Sequence, residues 1–493
     1  MSEAALPDAS TQMLKGSLWM VTMRWAVRGL GFINTMILVR LLQPSDFGVL
    51  AIATIISGFF EIFSETGQRL AIIRHPDPSR EVLNSAWTVQ VAICTALAAM
   101  VWLAAPLAQA FFNEPHAPSV VRLLALRAFL MGFENIGTVV FRRDLHFARE
   151  FRYNVYQRLA TVAITVALAI TLRNYWALAI GMVAGQAGTV LISYVMHPYR
   201  PWFAVSRVRE LWHFSLWILA GQTTSYFQSR VDQIALGPVT NATRMGEYFV
   251  ASDVATLPIS EVLIPMGRAQ YPVFVRLANQ PEALRRSYLE TLSLTAVLAW
   301  ATGAGLGLVS RDFAAVALGA KWLALAPLMP WLCASAALFA LANTTLTLHQ
   351  ATGGAAQFAR QSWLRTILMA ILVFIAARGG NLMHVVLARF ASALIFVPLA
   401  FLTIRPVIGV SMGDVLRENR RPALAACAMS LVVLGLQHAL PGLHALPRLL
   451  LCVTAGAATF AAALLAVWRA EGMPHGIETQ ATAILKRRLA RWA

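Results

Sequence analysis

Apolar residues run along this chain in blocks of roughly 20, the length an α-helix needs to cross the hydrocarbon core of a bilayer. The blocks predict spans near 17–40, 47–67, 84–105, 119–140, 155–172, 176–196, 211–235, 246–266, 288–309, 322–346, 361–377, 383–404, 422–438 and 447–468. Arg173 and Asn174 alone divide the fifth from the sixth, and Pro258 and Pro265 predict a kink in the eighth. No gap between blocks is long enough to fold as a separate domain. The expected fold is an all-α membrane protein of about 14 transmembrane helices.

Composition narrows the solvent. Hydrophobic residues make up 58% of the 493 and charged residues only 13%, about half the soluble average, so lipid surrounds most of the chain. The opening stretch, Met1 to Gln12, is polar and shows no secretory signal with a small-residue cleavage site. A net charge of +17 on a soluble protein would suggest nucleic acid. Here the basic residues sit in short gaps between apolar blocks, where the positive-inside rule accounts for them. Cys94, Cys333, Cys427 and Cys452 lie in apolar runs without a CxxC pair, and read as packing residues rather than disulfides or metal ligands.

The gaps sort by charge. One alternate set holds Arg69, Arg74 and Arg80; Arg142, Arg143, Arg149 and Arg152; Arg200, Arg207 and Arg209; Arg268, Arg276, Arg285 and Arg286; Arg360; and Arg405, Arg417, Arg420 and Arg421. The other holds only Arg122, Arg173, Arg244, Arg311, Lys321, Arg378 and Arg448. This asymmetry places the first set and both termini in the cytoplasm, and an even number of spans follows. The tail from Ile484 to Trp492 is basic and amphipathic, suited to the anionic cytoplasmic leaflet.

An internal repeat organises the blocks. Ser17-Leu18-Trp19 recurs as Ser215-Leu216-Trp217, and the interval from Trp19 to Gly48 equals that from Trp217 to Gly246. Six spans separate the copies, so the halves point the same way, as in a parallel repeat about an axis along the membrane normal. The expected organisation is a tail over 1–16, an N-lobe of six spans over 17–200, a C-lobe of six over 201–404, two further spans over 405–468 and a basic tail over 469–493. Two parallel six-helix lobes with a cleft between them form a transporter layout, with substrate near mid-membrane and rocking exposing it to each side.

Charges stand where insertion is costly, roughly 2.5–3.5 kcal/mol each at a helix centre. Arg24 and Arg28 share a face of the first span with Gly31 and Thr35. Glu61 and Glu65 share a face of the second with Thr54, Gly58 and Gln68. The seventh carries Gln222, Ser225, Ser229 and Asp232 on one side with Arg230 beside them, and the eighth Asp253, Thr256, Ser260 and Glu261. Arg127 and Glu134 lie in the fourth, Arg365 in the eleventh and Arg389 in the twelfth. Internal pairing is the plainer account: Arg28 with Glu61 or Glu65, Arg230 with Asp232, and Arg365 snorkelling to the cytoplasmic face. A wet cavity lined by these groups is the functional one. Guanidinium groups suit an anion with phosphate oxygens, and the carboxylates suit a proton or Na⁺ for coupling.

Other signals are empty. Asp46-Phe47-Gly48 spells a kinase motif, but neither a glycine-rich loop nor a catalytic loop accompanies it. No Walker A sequence and no HExxH occur, so neither an ATPase nor a catalytic or metal site is expected. His349 and His384 at helix ends read as polar caps, and the tryptophans as interface anchors or packing.

With the spans placed, several strings become recognisable. Leu41-Leu42-Gln43-Pro44-Ser45-Asp46-Phe47-Gly48 after the first span resembles the signature turn of bacterial oligosaccharide flippases, the polysaccharide-transporter branch of the multidrug/oligosaccharidyl-lipid/polysaccharide (MOP) exporter superfamily. Phe111-Phe112-Asn113-Glu114-Pro115, Arg142-Arg143-Asp144-Leu145-His146-Phe147, Tyr175-Trp176-Ala177-Leu178, Val231-Asp232-Gln233-Ile234-Ala235-Leu236-Gly237 and Leu318-Gly319-Ala320-Lys321-Trp322 resemble it too, in family order. The last two spans are less distinctive, and Gly237-Pro238-Val239 departs from the commoner glycine-basic continuation. The nearest subgroup is the lipopolysaccharide and exopolysaccharide exporters of colanic-acid type.

The resemblance implies a MATE-like fold in the bacterial inner membrane and a job. Such proteins move undecaprenyl-diphosphate-linked repeat units from the cytoplasmic to the periplasmic leaflet, by alternating access with ion coupling. On this reading Arg24, Arg28, Arg127 and Arg230 meet the pyrophosphate. Glu61, Glu65, Glu134, Asp232, Asp253 and Glu261 line the cavity or bind H⁺ or Na⁺. The partners are the lipid-linked oligosaccharide, inner-membrane lipids and a polysaccharide polymerase or export machinery. No cofactor and no nucleic acid are expected, and the protein acts as a monomer. The alternatives are a peptidoglycan-precursor flippase, a MATE-like drug exporter, a polytopic polymerase or ligase, and an accessory subunit without transport. An arginine-bearing cavity disfavours cationic drugs, and the long periplasmic catalytic loop of polymerases is absent.

Overall fold

The computed structural model describes residues 9–64, 72, 79–144, 146–207 and 215–473. Glu65, Arg69, Arg74, Arg209 and the amphipathic tail from Ile484 to Trp492 lie outside the described residues. The long helices are α1 (Ala9–Leu41), α2 (Pro44–Glu61), α3 (Arg80–Phe112), α4 (Ala117–Gly132), α5 (Phe147–Leu172), α6 (Tyr175–Met196) and α7 (Ser215–Leu236). There follow α8 (Ala242–Leu277), α9 (Pro281–Leu308), α10 (Met329–Ala351), α11 (Ala355–Ala377), α12 (Leu382–Leu402), α13 (Met412–Ala439) and α14 (Ala445–Ala470). Each expected span overlaps one of these helices. Among the described residues 10 helices are long and apolar enough to cross a membrane, or 11 if a bent pair counts as one span. The others, α1, α7 and α8, carry several of the charges singled out above.

Local chemistry sets the boundaries. Pro44 opens α2, where its missing N–H costs nothing, and the Gln43 N–H donates to the Asp46 carboxylate at 2.8 Å. Asp46, within the kinase-like string, is therefore a helix cap. Arg173 takes a left-handed conformation at the end of α5, and the Asn174 side chain accepts the Trp176 N–H at 3.0 Å to start α6. Two residues thus suffice to reverse the chain. α8 is one continuous helix through Pro258 and Pro265. Gly237–Val239 forms a short 3₁₀ turn after α7.

The fourth span is broken. α4 and the helical stretch Ile136–Arg143 meet at 68°, because the chain bends at Phe133–Asn135. The break leaves helix carbonyls without i+4 partners. Gln90 Nε2 on α3 donates to the carbonyls of Met131 (3.2 Å), Gly132 (3.0 Å) and Glu134 (3.2 Å). Gln90→Leu removes that donor from a buried site and is expected to cost about 1–3 kcal/mol, a drop of several degrees in the melting temperature of the detergent-purified protein. An unshifted melt would show that the carbonyls have other donors.

The chain divides into two compact units, one comprising Met1–Arg230 with Thr240–Gly246, the other Val231–Val239 with Glu247–Ala493. In the first, Gly181 and Gly185 of α6 lie against Thr165 and Thr161 of α5, small residues letting helix backbones approach. In the second, a core around Tyr288, Leu292, Phe396 and Phe401 is entirely buried. α13 and α14 belong to this unit: Met429, Val433 and Cys452 share a core with Val309. Arg448 of α14 holds Asp312 with two bonds of 2.9 and 2.5 Å. Cys94, Cys333 and Cys452 are buried, as packing residues would be, but Cys427 is exposed on α13.

Candidate functional site

The intramembrane charges separate into two groups, one in each unit. In the first, Glu61 of α2 is paired with Arg127 of α4, both part-buried. The sequence had offered Arg28 as the partner of Glu61 or Glu65; the fold gives Glu61 Arg127 of α4, a helix the pattern alone could not link to α2. Glu134, at the break after α4, accepts a hydrogen bond of 2.7 Å from the Tyr153 hydroxyl. Beside Glu61, the Tyr226 ring of α7 lies against Gly58 of α2, and its hydroxyl donates to the Ile55 carbonyl. Phe59 meets Tyr226 edge-on and Phe227 at a tilt, each with ring centroids 6.1 Å apart, so aromatic contacts join α2 to the middle of α7. Arg28 is exposed on α1. Arg24 lies on the same helix, its side chain outside those described.

In the second unit Asp232 is the centre. It is 1% exposed and pairs with Arg389 of α12 at 2.6 Å. The Tyr248 hydroxyl of α8 donates to the same carboxylate oxygen at 2.5 Å, and the Gln233 N–H to the other at 2.8 Å. Arg389 also reaches Ser252 at 3.0 Å. Three helices are tied by one carboxylate. The partner expected from sequence was Arg230, two residues away; a helix turns through about 200° over two residues, which points the two side chains apart. Arg365 does not snorkel: its guanidinium carbon lies 3.9 Å above the Phe339 ring, a cation–π contact, and its Nε is buried without a partner. Asp253 is exposed and Arg230 part-buried. Glu261 lies on α8, its side chain outside those described.

A cavity of about 620 Å³ in the second unit holds none of these candidates. Trp300, Gly303, Leu338, Phe390 and Leu434 line it, with Arg311 and Ser310 among its few polar groups. Among the described residues no cluster of three His, Cys, Asp or Glu could hold a metal. Sequence reading passed over Arg158, Tyr248 and Ser252. The first was visible as an ionisable residue inside a predicted span, while the hydroxyls carried no signal until Asp232 lay against them.

Ionisable groups held inside membrane helices are the mark of a protein that passes polar cargo through lipid, and a multi-pass membrane transporter is the class this architecture defines. The chain belongs to the family described as polysaccharide biosynthesis protein, which matches residues 37–327; every string that carried the resemblance lies in that range. Curated relatives include the lipopolysaccharide biosynthesis protein WzxC of Escherichia coli, 23% identical over 81% of this chain and 82% of that one. The succinoglycan biosynthesis transport protein ExoT of Rhizobium meliloti is 21% identical over 84% of each. Among solved structures, the lipid II flippase MurJ in an inward closed conformation superposes with a TM-score of 0.72 at 12% identity, over 92% of this chain and 99% of that one.

Proposed function

We propose that this protein is a flippase for lipid-linked oligosaccharides. It moves undecaprenyl-diphosphate-linked repeat units from the cytoplasmic to the periplasmic leaflet of the bacterial inner membrane, for surface polysaccharide synthesis. The chain alternates access between the two faces, with both termini in the cytoplasm. The observation that carries this reading is the retention of guanidinium groups within the membrane helices of a polysaccharide biosynthesis family member. Such groups bind diphosphate oxygens in pairs and stay charged at every physiological pH. Glu61 and Asp232 already hold arginines, so H⁺ or Na⁺ at either carboxylate would compete with the pairing to Arg127 or Arg389.

The experiment is a deletion in a strain with no redundant flippase. Loss of surface polysaccharide, with lipid-linked units accumulating on the cytoplasmic leaflet, is the expected result. Normal polysaccharide without accumulation would end the proposal, and a lethal deletion outside any polysaccharide pathway would favour a peptidoglycan precursor as the cargo.

A further inference from the structure

The cavity of about 620 Å³ in the second unit stands apart from the ion pairs, and small residues of α9 give it its floor. Ala299, Gly303 and Gly307 recur every four positions along one face of that helix. A Cβ on Gly303 would stand 2.8 Å from the Ala337 Cβ, and one on Gly307 3.1 Å from the Pro330 Cα. α9 and α10 therefore pack closely beneath the cavity. Phe390 and Leu394 of α12, with Ser430 and Leu434 of α13, complete the lining. Leu394 and Leu434 are 50% and 52% exposed, so the cavity is a groove that opens to the outside along these two helices.

Depth and charge narrow the occupant. From Leu308 to Ala299 the floor runs about 14 Å, close to one leaflet of a hydrocarbon core about 30 Å thick. α9 begins beside Arg285 and Arg286, in the arginine-rich set of gaps, so its Leu308 end faces the opposite leaflet. Arg311 lies at that end, exposed, and is the charged side chain of the lining. The acid next to it, Asp312, is committed to Arg448, which holds both carboxylate oxygens. Ser430 is turned to its own helix, donating to the Ala426 carbonyl at 2.7 Å. The groove is thus apolar along its length and positive at the membrane interface.

We infer that this groove seats one acyl chain of an anionic phospholipid from the leaflet opposite the arginine-rich face, with the lipid phosphate held by Arg311. A guanidinium offers paired donors to phosphate oxygens, and a basic residue at a crevice between membrane helices favours acidic headgroups. An acyl chain matches a groove one leaflet deep, whereas the polyprenyl chain of the proposed cargo would overrun it. The bound lipid joins α12 to α13 and acts as a component of the second unit rather than as cargo. The inference stands on the groove alone and does not depend on the flippase reading.

The test is native mass spectrometry of the delipidated full chain in detergent, titrated with phosphatidylglycerol, phosphatidylcholine or undecaprenyl phosphate. Wild type is expected to hold a first phosphatidylglycerol about fivefold more tightly than phosphatidylcholine, the effect of one interfacial cation. Arg311→Gln should bring the two lipids level. Ala334→Phe, which fills the groove from α10, should remove the tight site for both. Equal affinities in wild type, or a preference that survives Arg311→Gln, would overturn the headgroup contact. Tight binding unchanged in Ala334→Phe would overturn the groove as the seat. Undecaprenyl phosphate bound more tightly than phosphatidylglycerol, and lost in Ala334→Phe, would replace the phospholipid by a polyprenyl lipid. Should Ala334→Phe not fold, Arg311→Gln decides alone, because that side chain is exposed.

Discussion

Asp232→Asn is expected to destabilise the second unit by about 3–5 kcal/mol, the usual result of leaving one member of a buried ion pair without its counter-charge. Asp232 is 1% exposed and the Arg389 side chain 12%, so water cannot replace the lost charge. Arg389 is already short of one partner at Nε. Arg389→Met should cost a similar amount, since it leaves a carboxylate with only the Tyr248 hydroxyl and the Gln233 N–H as donors. The double variant Asp232→Asn/Arg389→Met removes both charges together and should recover most of the loss. Melting of the detergent-purified proteins, with single-variant shifts of roughly 10 °C, checks this. If the two single effects simply add in the double variant, the pair is not coupled and the reading fails.

Gly48→Ala and Gly246→Ala are expected to abolish folded protein altogether. A Cβ on Gly48 would lie 1.7 Å from the Ala242 carbonyl oxygen, and one on Gly246 1.8 Å from the Pro44 carbonyl oxygen and 2.9 Å from the Gly48 nitrogen. The obstacle is backbone in both directions, so no rotamer change relieves it. The loss should exceed about 4 kcal/mol, the range reserved for gross steric failure. The contact is reciprocal: the entry of α2 meets the entry of α8, each glycine against the other copy's first turn, all within the first unit. Gly29→Ala and Gly435→Ala serve as controls, because nothing lies within 4 Å of a Cβ at either site. In a helix they should be neutral or slightly stabilising, by up to about 1 kcal/mol. Fluorescence-detected size-exclusion of tagged protein reads all four, and a monodisperse Gly48→Ala peak at wild-type yield would refute the contact.

Those two glycines had been singled out by the equal spacing from Trp19 to Gly48 and from Trp217 to Gly246. A repeat imposes the same backbone twice, and where two copies of one surface meet, each needs the same small residue. The break after α4 was hidden for the opposite reason. Its residues are as apolar as those of a continuous span, and the signal for the bend is Gln90, on another helix.

The sequence by itself determined the helices and their order, because lipid demands long apolar runs with every backbone bond satisfied inside the helix. It also determined that charges stand in α1, α2, α7 and α8, and it displayed the strings of the polysaccharide biosynthesis family. Only the tertiary structure decided who partners whom. Glu61 meets Arg127 across 66 positions of chain and Asp232 meets Arg389 across 157. Helix periodicity fixes which face a charge occupies, but not which helix that face will meet, and in a low-dielectric interior the partner decides which helices a charge locks together.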